Sequence, residues 1–152
     1  MKEDFREDTV NFWLVRMIHG YSSLSFKKFM ELGVHPGQLP VLKSVYEEEG
    51  ISLRELAKKI HVRPPTVTVT VQRLEKAGLV YKKTDPTDLR VNHIYLTDKG
   101  KDIQAKIRAL LDENECTMTA GFSKEELTTL CSYFQRIVGN LVDAGADIQT
   151  EQ

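Results

Sequence analysis

Two adjacent prolines, Pro64 and Pro65, stand just three residues beyond an amphipathic stretch, and they leave the chain few options. A proline is tolerated in a helix only in the first turn, where the missing N–H has no intrahelical partner to lose and φ is already set. A helix therefore begins at these prolines, and His61-Val62-Arg63 in front of them can only be a turn. The stretch before the turn is a helix too. Ser52 and Glu55 make an S-x-x-E capping box, and Leu53, Leu56, Ala57 and Ile60 recur at helical spacing on one face. In the second helix Val67, Thr70, Val71 and Leu74 fall on one side, with Gly78 as the C-terminal stop. Residues 79–83 and 91–96 then read as the two arms of a β-hairpin. Helix, short turn, helix and hairpin make a helix-turn-helix followed by a wing.

The chemistry lies on the outward side of the second helix and on the wing. Thr66, Thr68, Val69, Gln72 and Arg73 share the outward face, with no acid until Glu75. Threonine hydroxyls bond phosphate oxygens, and Gln and Arg read base edges, so the face suits a DNA major groove. The plain alternative is a solvated face without a partner. Asp85-Pro86 starts the turn of the wing, and Arg90 sits near its tip with Asp85 and Asp88 close enough to hold its guanidinium. An arginine held in this way would suit a narrow minor groove. An ordinary surface ion pair is the competing explanation. Lys82 and Lys83 on the outgoing arm are candidates for backbone phosphates.

Charge distribution favours DNA. The whole chain carries 21 Lys or Arg against 22 Asp or Glu, yet residues 52–108 hold thirteen of the former and six of the latter. A basic lobe on an otherwise acidic chain provides the phosphate neutralisation that nucleic-acid binding requires.

These residues resemble the multiple antibiotic resistance regulator (MarR) family of winged helix-turn-helix transcriptional regulators. The wing matches that family's D-x-x-D-x-R as Asp85, Asp88 and Arg90. The helix matches T-x-T…R-L-E-x-x-G-L-V as Thr66, Thr68, Arg73, Leu74, Glu75, Gly78, Leu79 and Val80. The L-T-x-x-G that follows is Leu96, Thr97 and Gly100. Arg63 departs from the pattern, standing where the family places a small polar cap, so cap-based phosphate contacts do not carry over. Arg63 and Pro65 join the candidate DNA contacts.

The resemblance implies a mainly α fold with a small β wing. It also implies one MarR-type domain over residues 1–152, in which dimerisation helices (1–35 and 101–145) flank a winged lobe (36–100). A homodimer would set two recognition helices in successive major grooves of an inverted-repeat operator, about 34 Å apart. The family implies a repressor relieved by a small aromatic effector, and Trp13, Met17, His19, Tyr21 and Phe26 are the candidate lining. Dimer core is the competing role for all five.

The remaining elements follow from periodicity. Residues 8–32 read as a long helix with a broad stripe through Phe12, Val15, Ile18, Ser22, Phe26 and Phe29. A second helix begins near Gly37 or Gln38 and turns Leu39, Leu42, Val45 and Tyr46 inward, and Ile51 adds a short edge strand to the wing. A helix capped at Thr97 or Asp98 runs to about Glu115. A final helix, boxed by Ser123 and Glu126, carries Leu127, Leu130, Cys131, Phe134, Ile137, Val138 and Leu141. That last stripe exceeds what a small winged lobe can cover and calls for a partner.

Cys116 and Cys131 lack metal or redox spacing and are expected to be buried thiols, with oxidant sensing the weaker alternative. The four histidines are scattered, so no metal and no cofactor is expected. No glycine-rich phosphate loop or nucleophile elbow points to an enzyme. A winged helix that binds protein rather than DNA is the stronger rival. The acidic start, M-K-E-D-F-R-E-D, is unlike a signal peptide, and a cytoplasmic location is expected.

Overall fold

The computed structural model describes residues 9–146. The acidic octet that ends at Asp8, where the first helix is expected to start, and the end of the tail lie outside the described residues.

Helix α1 (Val10–Glu31) is capped by Thr9, whose hydroxyl accepts from the Phe12 amide at 3.2 Å. A 3-10 turn at Pro36–Gln38 leads into α2 (Leu39–Glu47). The edge strand β1 (Ile51–Ser52) runs straight into α3 (Leu53–Lys59), and the expected box of Ser52 and Glu55 is formed. Helix α4 (Pro64–Lys76) starts at the prolines, and its N-cap Arg63 makes no side-chain capping bond. The wing is β2 (Val80–Thr84) and β3 (Asn92–Leu96), followed by α5 (Asp98–Met118) and α6 (Lys124–Asp143). The sheet is antiparallel in the order β1-β3-β2, with Ile51 opposite Ile94 and Lys83 opposite His93. No helix among the described residues is long and apolar enough to cross a membrane.

The described residues form two compact units, one ending at Asn114 and one beginning at Glu115. The core of the first gathers the inner faces of α2, α3 and α4 beneath the sheet. Leu42, Val45, Leu56, Val67, Val71, Leu74 and Ile94 are all at most 1% exposed. A polar tie adds to it where α1 meets α5. Asn114 is fully buried and donates to the Ser25 hydroxyl at 3.0 Å, while Lys28 pairs with Glu113 at 2.9 Å. In the second unit no residue of α6 is buried.

Two expectations need correcting. Tyr46 does not turn inward but is 54% exposed, because Val41, Leu42 and Val45 already fill the face α2 shows the core. Cys116 and Cys131 are exposed thiols: Cys116 lies past Asn114, the last buried residue of α5, and Cys131 lies on α6, which buries none. The α1 stripe is covered only at its C-terminal end, where Ser25 and Phe29 are buried. Val15, Ile18 and Phe26 stand open at 43%, 54% and 48% exposure.

Two positions fix the geometry of the winged part. His61 closes α3 at φ 49°, in the left-handed region, and Val62 N–H then reaches the Ala57 carbonyl at 3.0 Å. Gly100 lies against the root of the wing, where an added Cβ would come within 2.0 Å of the Leu79 carbonyl oxygen. The glycine of the L-T-x-x-G pattern is thus a close-approach residue. Gly100→Ala is expected to cost about 1–3 kcal/mol by forcing backbone apart. His61→Val should cost about 1–2 kcal/mol, while His61→Gly should cost nothing, since only the former strains the left-handed turn. Urea unfolding of the three variants checks both.

Candidate nucleic-acid interface

Helix α4 stands with its apolar side anchored and its other side open. Val67, Val71 and Leu74 are buried; Thr66, Val69, Gln72 and Arg73 are exposed and Thr68 is half-buried. This division follows from the 3.6-residue period and from nothing more distant. The Thr68 hydroxyl donates to the Pro64 carbonyl at 2.9 Å, and that of Thr70 to the Thr66 carbonyl at 3.0 Å. Thr68 thus secures the proline-led first turn, and its hydroxyl would have to rotate to meet a phosphate. Arg63 and Pro65 are exposed at the N-terminal end of the same helix.

The wing departs from expectation. Asp85 and Asp88 do not grip the Arg90 guanidinium. They shape the loop on which it rides. Asp85 Oδ1 accepts from the Thr87 amide at 2.7 Å, the Thr87 hydroxyl at 2.6 Å and the Asp88 amide at 3.0 Å. Asp88 Oδ1 accepts from the Arg90 amide at 3.0 Å, and the Asp85 amide donates to the Val91 carbonyl at 2.9 Å. Short carboxylates prefer nearby backbone N–H groups over a long flexible side chain, because little entropy is lost in closing such rings. Among the described residues the guanidinium of Arg90 has no carboxylate partner, and Arg90 is exposed.

The second oxygen of Asp85 has a partner that sequence reasoning missed. It lies 2.8 Å from Nε2 of His93, while Nδ1 of the same ring lies 2.6 Å from the Gly50 carbonyl. The Thr87 hydroxyl first, and His93 next, hold the Asp85 carboxyl well below the usual carboxylate range. Asp85 and the Gly50 carbonyl in turn raise the His93 imidazole above its ordinary value of 6.5. The only sequence clue was the hairpin register, which sets residue 93 diagonally across from residue 85 on one face.

The two wing lysines part company. Lys82 lies on the core-facing side of β2, and its ammonium is 3.0 Å from Glu75 of α4. Lys83 lies on the outer face with His93 and the stacked pair Tyr81 and Tyr95, whose ring centroids are 5.4 Å apart. Lys83 is therefore the better placed for a phosphate, and Lys82 would have to leave Glu75 first. The residues proposed for an effector do not converge. Trp13, Met17, His19 and Tyr21 lie open along α1, whereas Phe26 stands edge-on to His35 at 5.9 Å. Among the described residues no cluster of His, Cys, Asp and Glu is set to hold a metal ion.

Because Asp85 nucleates the loop, Asp85→Ala should speed hydrogen–deuterium exchange at the Thr87 and Asp88 amides while leaving the helices unchanged. Equal exchange in the variant would show that the loop orders itself without the carboxylate.

Comparison with known proteins agrees with this geometry. The model of the MarR family matches residues 34–91, the span that contains α2, α3, α4 and the wing tip. A curated relative from Bacillus subtilis, the uncharacterised HTH-type transcriptional regulator YybA, is 27% identical over 128 residues, covering 84% of this chain and 83% of its own. The crystal structure of the transcriptional regulator SlyA superposes with a TM-score of 0.69 at 28% identity, covering 90% of this chain and 96% of that one. A variant of MepR from Staphylococcus aureus reaches a TM-score of 0.78 at 23% identity over 88% and 98% of the two chains. MepR in complex with DNA gives 0.69 at 22% identity over 90% and 99%. The wing and recognition-helix motifs fall within the span matched by the MarR family model.

Proposed function

We propose that this protein is a dimeric, sequence-specific DNA-binding transcriptional regulator acting as a repressor that a small molecule relieves. One observation carries the reading. The open face of α4 and the uncommitted guanidinium of Arg90 stand on the same basic lobe, as major-groove and minor-groove probes require. Thr66, Thr68, Val69, Gln72 and Arg73 enter the major groove, Arg90 enters the flanking minor groove, and Arg63, Pro65, Lys82 and Lys83 meet the backbone. The solved complex of MepR with DNA supports this use of the fold.

The dimer is supported by the apolar surface a single chain leaves open. On α1, Trp13 and Ile18 are 57% and 54% exposed; on α6, Phe134 and Leu141 are 41% and 46% exposed. Stripes of this kind on helices belong against a partner, and a second copy is the simplest one. Helices α1, α5 and α6 are then the dimerisation helices. The effector, an aromatic acid by family analogy, would be held between dimer and winged lobes by Trp13, Met17, His19, Tyr21 and Phe26 once a partner encloses them. Repression needs only occupancy of the operator, with no activating surface.

The reading is tested by fluorescence anisotropy with labelled duplex from immediately upstream of the protein's own gene, beside scrambled duplex, at several salt concentrations. Tight binding to the former with a steep salt slope is expected. Weak binding that ignores sequence would indicate a winged helix serving a protein partner instead. Arg90→Ala should weaken binding by about 1–3 kcal/mol and leave the unfolding midpoint unchanged. Light scattering should give the mass of two chains, and Ile18→Glu should lower it to one.

A further inference from the structure

Arg90 can reach a groove only if the loop that carries it is held in place. The geometry around His93 offers such a hold. Both ring nitrogens face acceptors that have no proton to offer. The Gly50 carbonyl can only accept, and Asp85 favours its ionised form, since its Oδ1 takes the Thr87 hydroxyl and two amides, which hold the carboxyl well below the usual range. A neutral imidazole has one N–H and can satisfy one of the two acceptors; the imidazolium has two and satisfies both. Each end of the bridge is tied in turn. Asp85 is the hub of the loop that carries Arg90, and the Gly50 amide donates to the Ile94 carbonyl at 2.8 Å as the chain enters β1.

We propose that His93 is the positioning residue of the wing: as an imidazolium it clamps the Arg90 loop to the chain entering β1, and so holds Arg90 in reach of DNA. The inference rests on the DNA-binding reading of the wing. Arg90 would touch the DNA; His93 acts through Asp85.

The charged groups around the ring favour the proton. Asp85 approaches from the loop and Glu55 from α3, next to Ser52, which pairs with His93 from β1. Glu49, beside Gly50, is neutralised by Lys101 at 3.2 Å. Lys83 lies directly across on β2 and extends from an exposed position. The sign of the pH dependence follows. The folded-state value of His93 lies above 6.5, so the clamp is complete below pH 6.5 and is lost as pH rises through the folded value. Asp85, shifted downward, keeps its part of the clamp above its ordinary value of 3.8 and loses it only in stronger acid.

Two measurements test the clamp, and they fail separately. In the first, NMR of the free protein follows the His93 ring and the Arg90 and Thr87 amides through pH. The amides should titrate with the midpoint of the ring, above 6.5, and should be flat in His93→Gln. A ring that titrates at or below 6.5, or amides that stay flat while it titrates, would overturn the proposal. In the second, anisotropy with the upstream duplex at fixed ionic strength compares pH 6 with pH 8.5. Wild type should lose affinity several-fold at the higher pH. Arg90→Ala and His93→Gln should be weaker and lose less, and His93→Lys, charged at both values, should restore pH-independent binding. A wild-type pH response no larger than that of Arg90→Ala would overturn the positioning role. If wild type binds no duplex at either pH while the amides titrate as expected, the DNA-binding reading falls and the clamp stands.

Discussion

The corner between α3 and α4 is the constraint on which the winged part of the fold depends. His61 takes a left-handed conformation, so the chain leaves α3 abruptly and Pro64 can start α4 within three residues. The angle this sets lets Leu56 on α3 and Val67, Val71 and Leu74 on α4 bury their side chains together. Once the inner face is anchored, helical periodicity alone decides which side chains point away. The far end of α4 then delivers Leu79 to the start of the wing. The Leu79 carbonyl accepts from the Thr97 amide at 3.1 Å and lies where any Cβ on residue 100 would clash. Corner, helix, wing root and the start of α5 are therefore packed into one unit.

Electrostatics on this lobe follow a division of labour. Its acids serve short-range bonds: Glu55 caps α3, Glu75 pairs with Lys82, Asp85 and Asp88 order the wing loop. Among the described residues Arg63, Arg73 and Arg90 form no ion pairs and are exposed. An acid that accepts from backbone amides has its field partly cancelled by the dipoles around it. The positive potential of the lobe is thus carried by flexible guanidinium groups at its rim, where phosphates would be met. His93 extends the arrangement, since both its ring nitrogens face inward partners, Asp85 and the Gly50 carbonyl.

Much of this was readable in residue order. The prolines gave away the start of α4, the two S-x-x-E boxes marked α3 and α6, and Ile51 paired as the expected edge strand. The candidate interface was legible where it depends on one helix. It was misread where it depends on a loop, since Asp85 and Asp88 were assigned to the Arg90 side chain and instead bond backbone amides. Tyr46 was misplaced because a nine-residue helix offers one narrow inner face and smaller side chains already fill it. Cys116 and Cys131 were assigned to the interior because their spacing fits neither a metal nor a redox pair, and that spacing carries no information on burial.

By itself, then, the sequence determined the type, order and caps of the elements and the two faces of α4, since these rest on interactions within about four residues along the chain. Only the tertiary structure decided that Gly100 lies on the Leu79 carbonyl, that Lys82 faces Glu75, and that His93 links Asp85 to Gly50. Those contacts depend on strand register and on the angle at which packed elements meet. Both are set by how buried side chains fit together across the core, which no local pattern of residues records.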